Sequence, residues 1–308
     1  MPGWLKLVAS LALAGGLLAW LFLKMDGAKL AATVRACNGW WLVAAVGGSS
    51  VYWLVRTARW RWTTSLVGAP VSWRIAGQSM LAGLGIGLLT PMRGGEIVRP
   101  LFVPPGARPQ LAGFVVLEKC FDLAAVLLLA VPGLAWLVAQ GILPPWAAWT
   151  AGGLLLAAAI PLAILMLRPR GLFLLIERRL PAKLRSGLQI TLPWRTFGIM
   201  LAASFLAEGM SIFTVYLCFR SLGSFDLATA FSFVPLVMLN NLIPFTPGGL
   251  GLRETIAKYV FLPLGYADTL VVTAYLVNTA IVLLAPGLLG LLLAWRVGVF
   301  HRVRTGQA

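Results

Sequence analysis

Apolar residues run along this chain in long blocks, with polar residues confined to short gaps between them. Blocks long enough to cross about 30 Å of hydrocarbon as helices cover 4–23, 39–62, 111–139, 146–167, 194–219 and 268–295. Two further apolar segments, 73–90 and 227–243, end differently, in "TPMRGGEIVR" and "TPGGLGLR". Proline stops a helix and glycine lets the chain turn, and only a short arm follows each break. Residues 252–265 would span about 21 Å at 1.5 Å per residue, too little to cross comfortably. The pattern predicts an all-α polytopic membrane protein with about six transmembrane helices and two hairpins made of broken helices.

The two breaks look related. Gly94-Gly95 and Gly248-Gly249 are 154 residues apart, as are Arg99 and Arg253, and Trp40 and Trp194; Thr90-Pro91 and Thr246-Pro247 are 156 apart. This ordered set of matches reads as an internal duplication. Repeat 1 covers about 39–139 and repeat 2 about 194–295, within a single membrane domain over 1–308.

Charge sets the orientation. The 168–195 connection holds seven basic residues and one acid, so it is expected in the cytoplasm, whereas 140–145, "QGILPP", is uncharged and suits the outside. Arg56, Arg59, Arg61 and Arg74 read as a cytoplasmic cluster, as do Arg296, Arg302 and Arg304, which places both termini inside the cell's plasma membrane. A full crossing by 73–90 would throw the seven-charge connection outside, so the hairpins are expected to be re-entrant. Three crossings between Trp40 and Trp194 then make the duplication an inverted repeat, a transporter architecture.

Composition agrees and narrows the chemistry. The 308 residues are 60% hydrophobic and 11% charged, against about a quarter charged in a soluble domain. A net charge of +16 raises nucleic acid as a partner, yet the basic residues form no continuous face to track phosphates, so none is expected. Cys37, Cys120 and Cys218 offer neither a disulfide framework nor a metal pair, and the one histidine, His301, lies in the C-terminal tail. No catalytic set, metal site or cofactor is therefore expected. The N-terminal "MPGWLKLVASLALAGGLLAWLFLK" reads as an uncleaved first helix. Residues 171–191, apolar among basic positions and broken at Pro181, read as an interfacial segment on the anionic leaflet.

The candidate site lies at the breaks. Irregular backbone at membrane depth is tolerated where protein buries it or water reaches it. Pro244 and Pro247 stop the incoming helix, Gly248 and Gly249 turn the chain, and the outgoing arm offers backbone N–H groups beside Arg253, an anion-attracting end. Five of the nine acids, Glu96, Glu118, Asp122, Glu208 and Glu254, lie in or beside apolar segments. An intramembrane charge costs about 2.5–3.5 kcal/mol or more, so these should share an interior with partners. Arg93, Arg99, Lys119, Arg253 and Lys258 are the available counter-charges. Asn240, Asn241 and Asn278 suit helix packing at least as well as a ligand, and Trp40, Trp41, Trp146, Trp149 and Trp194 look like interfacial anchors.

"PMRGGEIVR" (91–99), "LEKCFDL" (117–123) and "PFTPGGLGLRE" (244–254) resemble the signature stretches of the lysylphosphatidylglycerol synthase transmembrane-domain family, the flippase-like proteins. The resemblance runs across nearly the whole chain. It implies roles for Arg93, Glu96 and Arg99 in the first break, for Glu118 and Asp122 on the middle helix, and for Pro247, Gly248, Gly249, Arg253 and Glu254 in the second. Lys119 stands where an arginine is usual, keeping the charge without the bidentate fork. Larger relatives carry a soluble aminoacyl-transfer domain; this chain ends at Ala308 without one, so lysyl-lipid synthesis is not expected of it.

Translocation of an anionic lipid or a polyprenyl-phosphate-linked lipid between leaflets is the leading expectation, since arginines and helix termini at mid-depth suit phosphate. The alternative is a non-transporting accessory subunit beside a lipid- or glycan-modifying membrane enzyme. A membrane-embedded transferase is a third class, for which no nucleophile–base pair is evident. Membrane lipids with anionic headgroups are the expected partners, and a homodimer stays open.

Overall fold

The computed structural model describes residues 35–144, 193–242 and 249–296, with isolated positions at 32–33, 146, 149–150, 152–153 and 156. The expected crossing at 4–23, most of that at 146–167, the interfacial segment 171–191 and the turn at 243–248 lie outside the described residues. All regular secondary structure among the described residues is helical. The elements are α1 (Gly39–Leu66), α2 (Trp73–Leu89), α3 (Arg108–Ala139), α4 (Trp194–Leu222), α5 (Leu227–Met238), α6 (Leu252–Phe261), α7 (Asp268–Thr279) and α8 (Ala285–Arg296). Among them, Pro105–Ala139, Trp194–Leu222 and Asp268–Arg296 are long and apolar enough to cross a membrane.

Local chemistry explains the boundaries. Asn38, Ser72 and Asp226 cap α1, α2 and α5, their side chains accepting from the amides of Trp40, Ile75 and Thr229. Thr90 ends α2 in an extended conformation, φ −112° and ψ 137°, as the residue before a proline prefers. The chain then continues as a 3₁₀ segment, Pro91–Phe102, which folds back along α2. Gly95 makes that return feasible, because a Cβ there would overlap the backbone at Gly87 and Gly83. Its amide donates to the Thr90 hydroxyl at 3.0 Å. In the second break α5 passes into a 3₁₀ turn, Leu239–Leu242, and the chain re-emerges at Gly249 and Gly251, both with positive φ (76° and 78°), before α6. A π-helical turn, Ala280–Leu284, joins α7 to α8 just ahead of Pro286, whose missing N–H breaks the regular ladder.

Packing between the halves is reciprocal. The two first helices pair, with Gly48 of α1 against Thr214 of α4. α2, in the first break, packs on α8, the last helix of the second half; α5, in the second break, packs on α3, the last helix of the first half. Both crossings depend on glycine. A Cβ at Gly133 would overlap the Ser232 carbonyl, and one at Gly290 the Leu81 carbonyl, while Gly287 lies against Leu88. Pro132-Gly133-Leu134 and Pro286-Gly287-Leu288 are themselves 154 residues apart. Small residues that let backbones approach are how helices associate where no hydrophobic drive separates protein from lipid.

Candidate functional site

A buried ion network occupies the middle of the first half. On α1, Ser49, Tyr52, Arg56, Arg59 and Thr63 are all buried, and steps of three and four place them on one helix face. The Arg59 guanidinium donates to both carboxylate oxygens of Asp122, at 2.7 and 3.1 Å, and to Ser204 Oγ of α4, which in turn donates to Asp122 at 2.8 Å. Arg99, 1% exposed, donates to Glu118 at 2.8 Å, and its guanidinium lies 4.6 Å over the Trp60 ring. Glu96 bridges Lys119 (2.5 Å), Arg56 (3.4 Å) and Arg99 (3.6 Å). Arg56 also reaches Asp122 at 3.5 Å and donates to the Tyr52 hydroxyl at 3.0 Å. Four cations thus face three carboxylates, and Glu208, buried on α4 and lining the adjoining cavity, brings the formal sum to zero.

That cavity has a volume of about 250 Å³ and lies between the halves. One wall carries Arg56, Lys119, Asp122 and Glu208; the opposite wall carries Asn240, Gly249, Arg253, Tyr275 and Asn278; Leu84, Leu123, Val126, Val234 and Val237 close it with hydrocarbon. Gly249 stands where a Cβ would collide with the Asn240 amide at 2.7 Å, with an Arg253 guanidinium nitrogen at 3.7 Å. Trp53 of α1 donates its indole N–H to the Val282 carbonyl at 3.2 Å, tying the first half to the π turn of the second. Such a turn leaves a carbonyl outside the regular ladder.

The sequence-predicted residues separate into groups. Glu96, Arg99, Glu118, Lys119 and Asp122 do converge, but only Lys119 and Asp122 line the cavity, while Arg99 and Glu118 are locked on each other behind it. Gly249 and Arg253 line its far wall. Glu254 turns away: its carboxylate accepts from the Gly251 amide at 2.8 Å and the Thr279 hydroxyl at 3.0 Å, capping α6 and joining it to α7. One of the amides expected to await a ligand is therefore already satisfied. Lys258 pairs with Asp268 at 2.5 Å, tying α6 to α7. Pro247 and Gly248 lie outside the described residues, as does the side chain of Arg93.

Arg56 and Arg59 join the network without having been counted among the candidate site residues. Read from the sequence as cytoplasmic loop charges, they are 4% exposed and central to the network. The usable signal was the polar stripe at helical spacing along α1, which a loop-charge reading overlooks.

Comparison with known families fits this arrangement. The family model for the lysylphosphatidylglycerol synthase TM region matches residues 7–290. The chain belongs to that family. The match is to the family's membrane region and takes in both breaks, all of the ion network and every cavity wall. A search of curated proteins found no match.

Proposed function

We propose that this member of the family moves an anionic lipid, or a polyprenyl-phosphate-linked lipid, between the leaflets of the plasma membrane. The observation that carries the reading is the cavity, which both halves line and which brings Arg253 together with the charged side chains of the network among hydrocarbon side chains. A phosphate headgroup entering it meets Arg253 beside the Gly249 backbone, while its tails stay in lipid, because only the polar part needs shielding. Lys119 and Arg56 are a second pair of cations on the opposite wall, each held by a carboxylate that competes with the phosphate and so keeps the grip reversible. The protein is not an enzyme in this reading.

The architecture we infer is about six crossings with two re-entrant hairpins in an inverted repeat. Supporting it are the 154-residue offsets, the reciprocal packing of α2 on α8 and α5 on α3, and the fold-back of the 91–102 segment along α2. Both termini are then cytoplasmic. Cysteines introduced at Leu143 and Lys183 test this: in intact cells the first should label from outside and the second should not. The reverse pattern would sink the topology.

One observation favours the accessory-subunit reading. Arg99 and Glu118 pair at 2.8 Å behind the cavity, with Arg59 3.7 Å from the same carboxylate, as in a structural core. Reconstitution separates the two. Liposomes containing the purified protein should exchange an anionic lipid between leaflets faster than a zwitterionic one, and deletion of Gly248 and Gly249 should stop it. Exchange equal to that of empty liposomes for every anionic and polyprenyl-phosphate lipid tried would leave the accessory role.

A further inference from the structure

The network wall of the cavity is charged and held largely by its own ion pairs, with Arg56 Nε unpaired, whereas the wall formed by the second break and α7 carries neutral polar groups that lack partners. Asn240, Tyr275 and Asn278 are 3%, 1% and 5% exposed, and all three line the cavity. The Asn240 Oδ1, Tyr275 hydroxyl and Asn278 Oδ1 atoms have no hydrogen-bond partner among the described residues. Tyr275 and Asn278 are three residues apart on α7, so they share a face; Asn240 approaches from the end of α5, beside Gly249.

Three orphaned polar atoms on one wall are unusual, since most buried side-chain polar groups are paired and each unpaired one is destabilising. Packing explains other buried polar groups here, such as Thr273 and Thr214, whose hydroxyls donate to carbonyls one turn back. It does not explain these three. Two amide oxygens accept and a phenol both donates and accepts, so the complement is rich in donors; with Arg253 and Lys119 lining the same cavity, a neutral group bearing several hydroxyls fits better than an ammonium, which like charges disfavour. A lone phosphate, with oxygens only, would leave both amide oxygens unmatched. A quaternary ammonium, which has no N–H, would as well.

Resting on the translocation reading for the presence of Arg253 beside the same wall, we propose that the headgroup handled is a phosphate linked to a sugar or comparable cyclic polyol. Arg253 and the Gly249 backbone hold the phosphate, and Asn240, Tyr275 and Asn278 take the ring hydroxyls. The cavity's volume of about 250 Å³ is below the roughly 300–1,000 Å³ of pockets for drug-sized ligands, and so matches one ring with one phosphate.

The test has two arms on the purified full chain. In liposomes, leaflet exchange of fluorescent phosphatidylinositol is compared with that of phosphatidic acid, both anionic. In detergent, the rise in melting temperature with glucose 1-phosphate is compared with that from inorganic phosphate. A site built to hydrogen-bond hydroxyls discriminates against analogues that lack them, because its own groups are then left unpaired. We expect phosphatidylinositol to exchange roughly tenfold faster or more. Asn278→Leu should collapse that ratio towards one and remove the extra stabilisation by glucose 1-phosphate. Tyr275→Phe, which removes one oxygen and keeps the ring, should do so partly and serves if the first variant fails to fold.

Equal exchange of the two lipids by the native chain, or equal effects of the two phosphates, would overturn the polyol site while leaving translocation standing. No exchange of any lipid, with a glucose 1-phosphate effect that Asn278→Leu abolishes, would keep the site and remove translocation. Neither exchange nor a difference in melting would remove both.

Discussion

Arg99 was expected from sequence to meet the substrate, yet it lies locked behind the cavity, and this makes a sharp prediction. Arg99→Ala removes a charge-assisted hydrogen bond to Glu118 at 2.8 Å and a guanidinium 4.6 Å over Trp60. Removing one member of a buried pair generally costs about 3–5 kcal/mol, because the other charge stays buried. Here Glu118 keeps Arg59 at 3.7 Å and Thr63, whose hydroxyl donates at 3.5 Å, so the lower end, about 3 kcal/mol, is expected. For a chain of this size that is roughly a 6–12 °C fall in melting temperature. Arg99→Met combined with Glu118→Leu removes both charges at similar volume and should recover most of the loss. Melting of the three proteins in detergent, beside lipid exchange in liposomes, reads both properties. A double variant that is stable and still exchanges lipid assigns Arg99 to the scaffold. Wild-type melting in Arg99→Ala would refute the reasoning, since it would mean that the pair is not formed.

Other expectations follow from the same geometry. Arg253→Ala should abolish anionic lipid exchange while the protein still inserts and folds; full exchange activity would remove Arg253 from the mechanism. Gly290→Ala and Gly133→Ala each drive a methyl into a carbonyl of the facing helix, and each should cost about 1–3 kcal/mol, visible as lower melting and reduced yield; normal behaviour would contradict the close crossings. Glu254→Ala should cost about 1 kcal/mol through the lost α6 cap, with Glu254→Gln milder, since an amide oxygen can still accept from the Gly251 amide. Asp226, exposed at the start of α5, has its carboxyl held below the usual range by hydrogen bonds from the Thr229 hydroxyl and amide. A depressed folded value contributes stability above the unfolded value of about 3.9 and loses it as pH falls through the folded one. The melting difference between Asp226→Ala and native protein should therefore shrink below about pH 4, and a constant difference would contradict the cap.

Much of the fold was legible because lipid imposes simple rules. α3, α4 and the α7–α8 pair begin and end within about three residues of the apolar blocks, since each block ends where polar or helix-stopping residues begin. The breaks were legible because Thr-Pro and Gly-Gly leave few backbone options. What escaped was the meaning of charge. The positive-inside rule treats arginine as a loop marker, so Arg56 and Arg59 were counted by position in the chain and not by the helix face they occupy. Glu254 misled for the opposite reason. Its place beside Arg253 in a glycine-rich break suggested a ligand contact, whereas the acid at the third position of a helix is well placed to close its own first turn. Neither the Arg99–Glu118 lock nor the orphaned wall could be read without coordinates, because both depend on which side chains meet across helices far apart in sequence.

The two halves align at the 154-residue offset, yet the cavity has two unlike walls. Arg99 and Arg253 correspond at the 154-residue offset, but the positions matching Glu118 and Asp122 are Val272 and Leu276, and those matching Arg56 and Arg59 are Met210 and Phe213. In the other direction, Tyr275 and Asn278 correspond to Phe121 and Ala124. Each half has therefore kept the arginine of its break and discarded the polar residues that the other half carries. In the first half Arg99 pairs with Glu118 behind the cavity, whereas in the second Arg253 lines the cavity wall. A symmetric site would bind a headgroup equally in two orientations and present two like charges to one phosphate. With ion pairs on one wall and neutral amides and a phenol on the other, the proposed headgroup would have one preferred orientation, its phosphate end set by Arg253 and its neutral end by Asn278 and Tyr275. On the proposed reading, side chains that differ between the halves, on a backbone whose packing is reciprocal, would make the site directional.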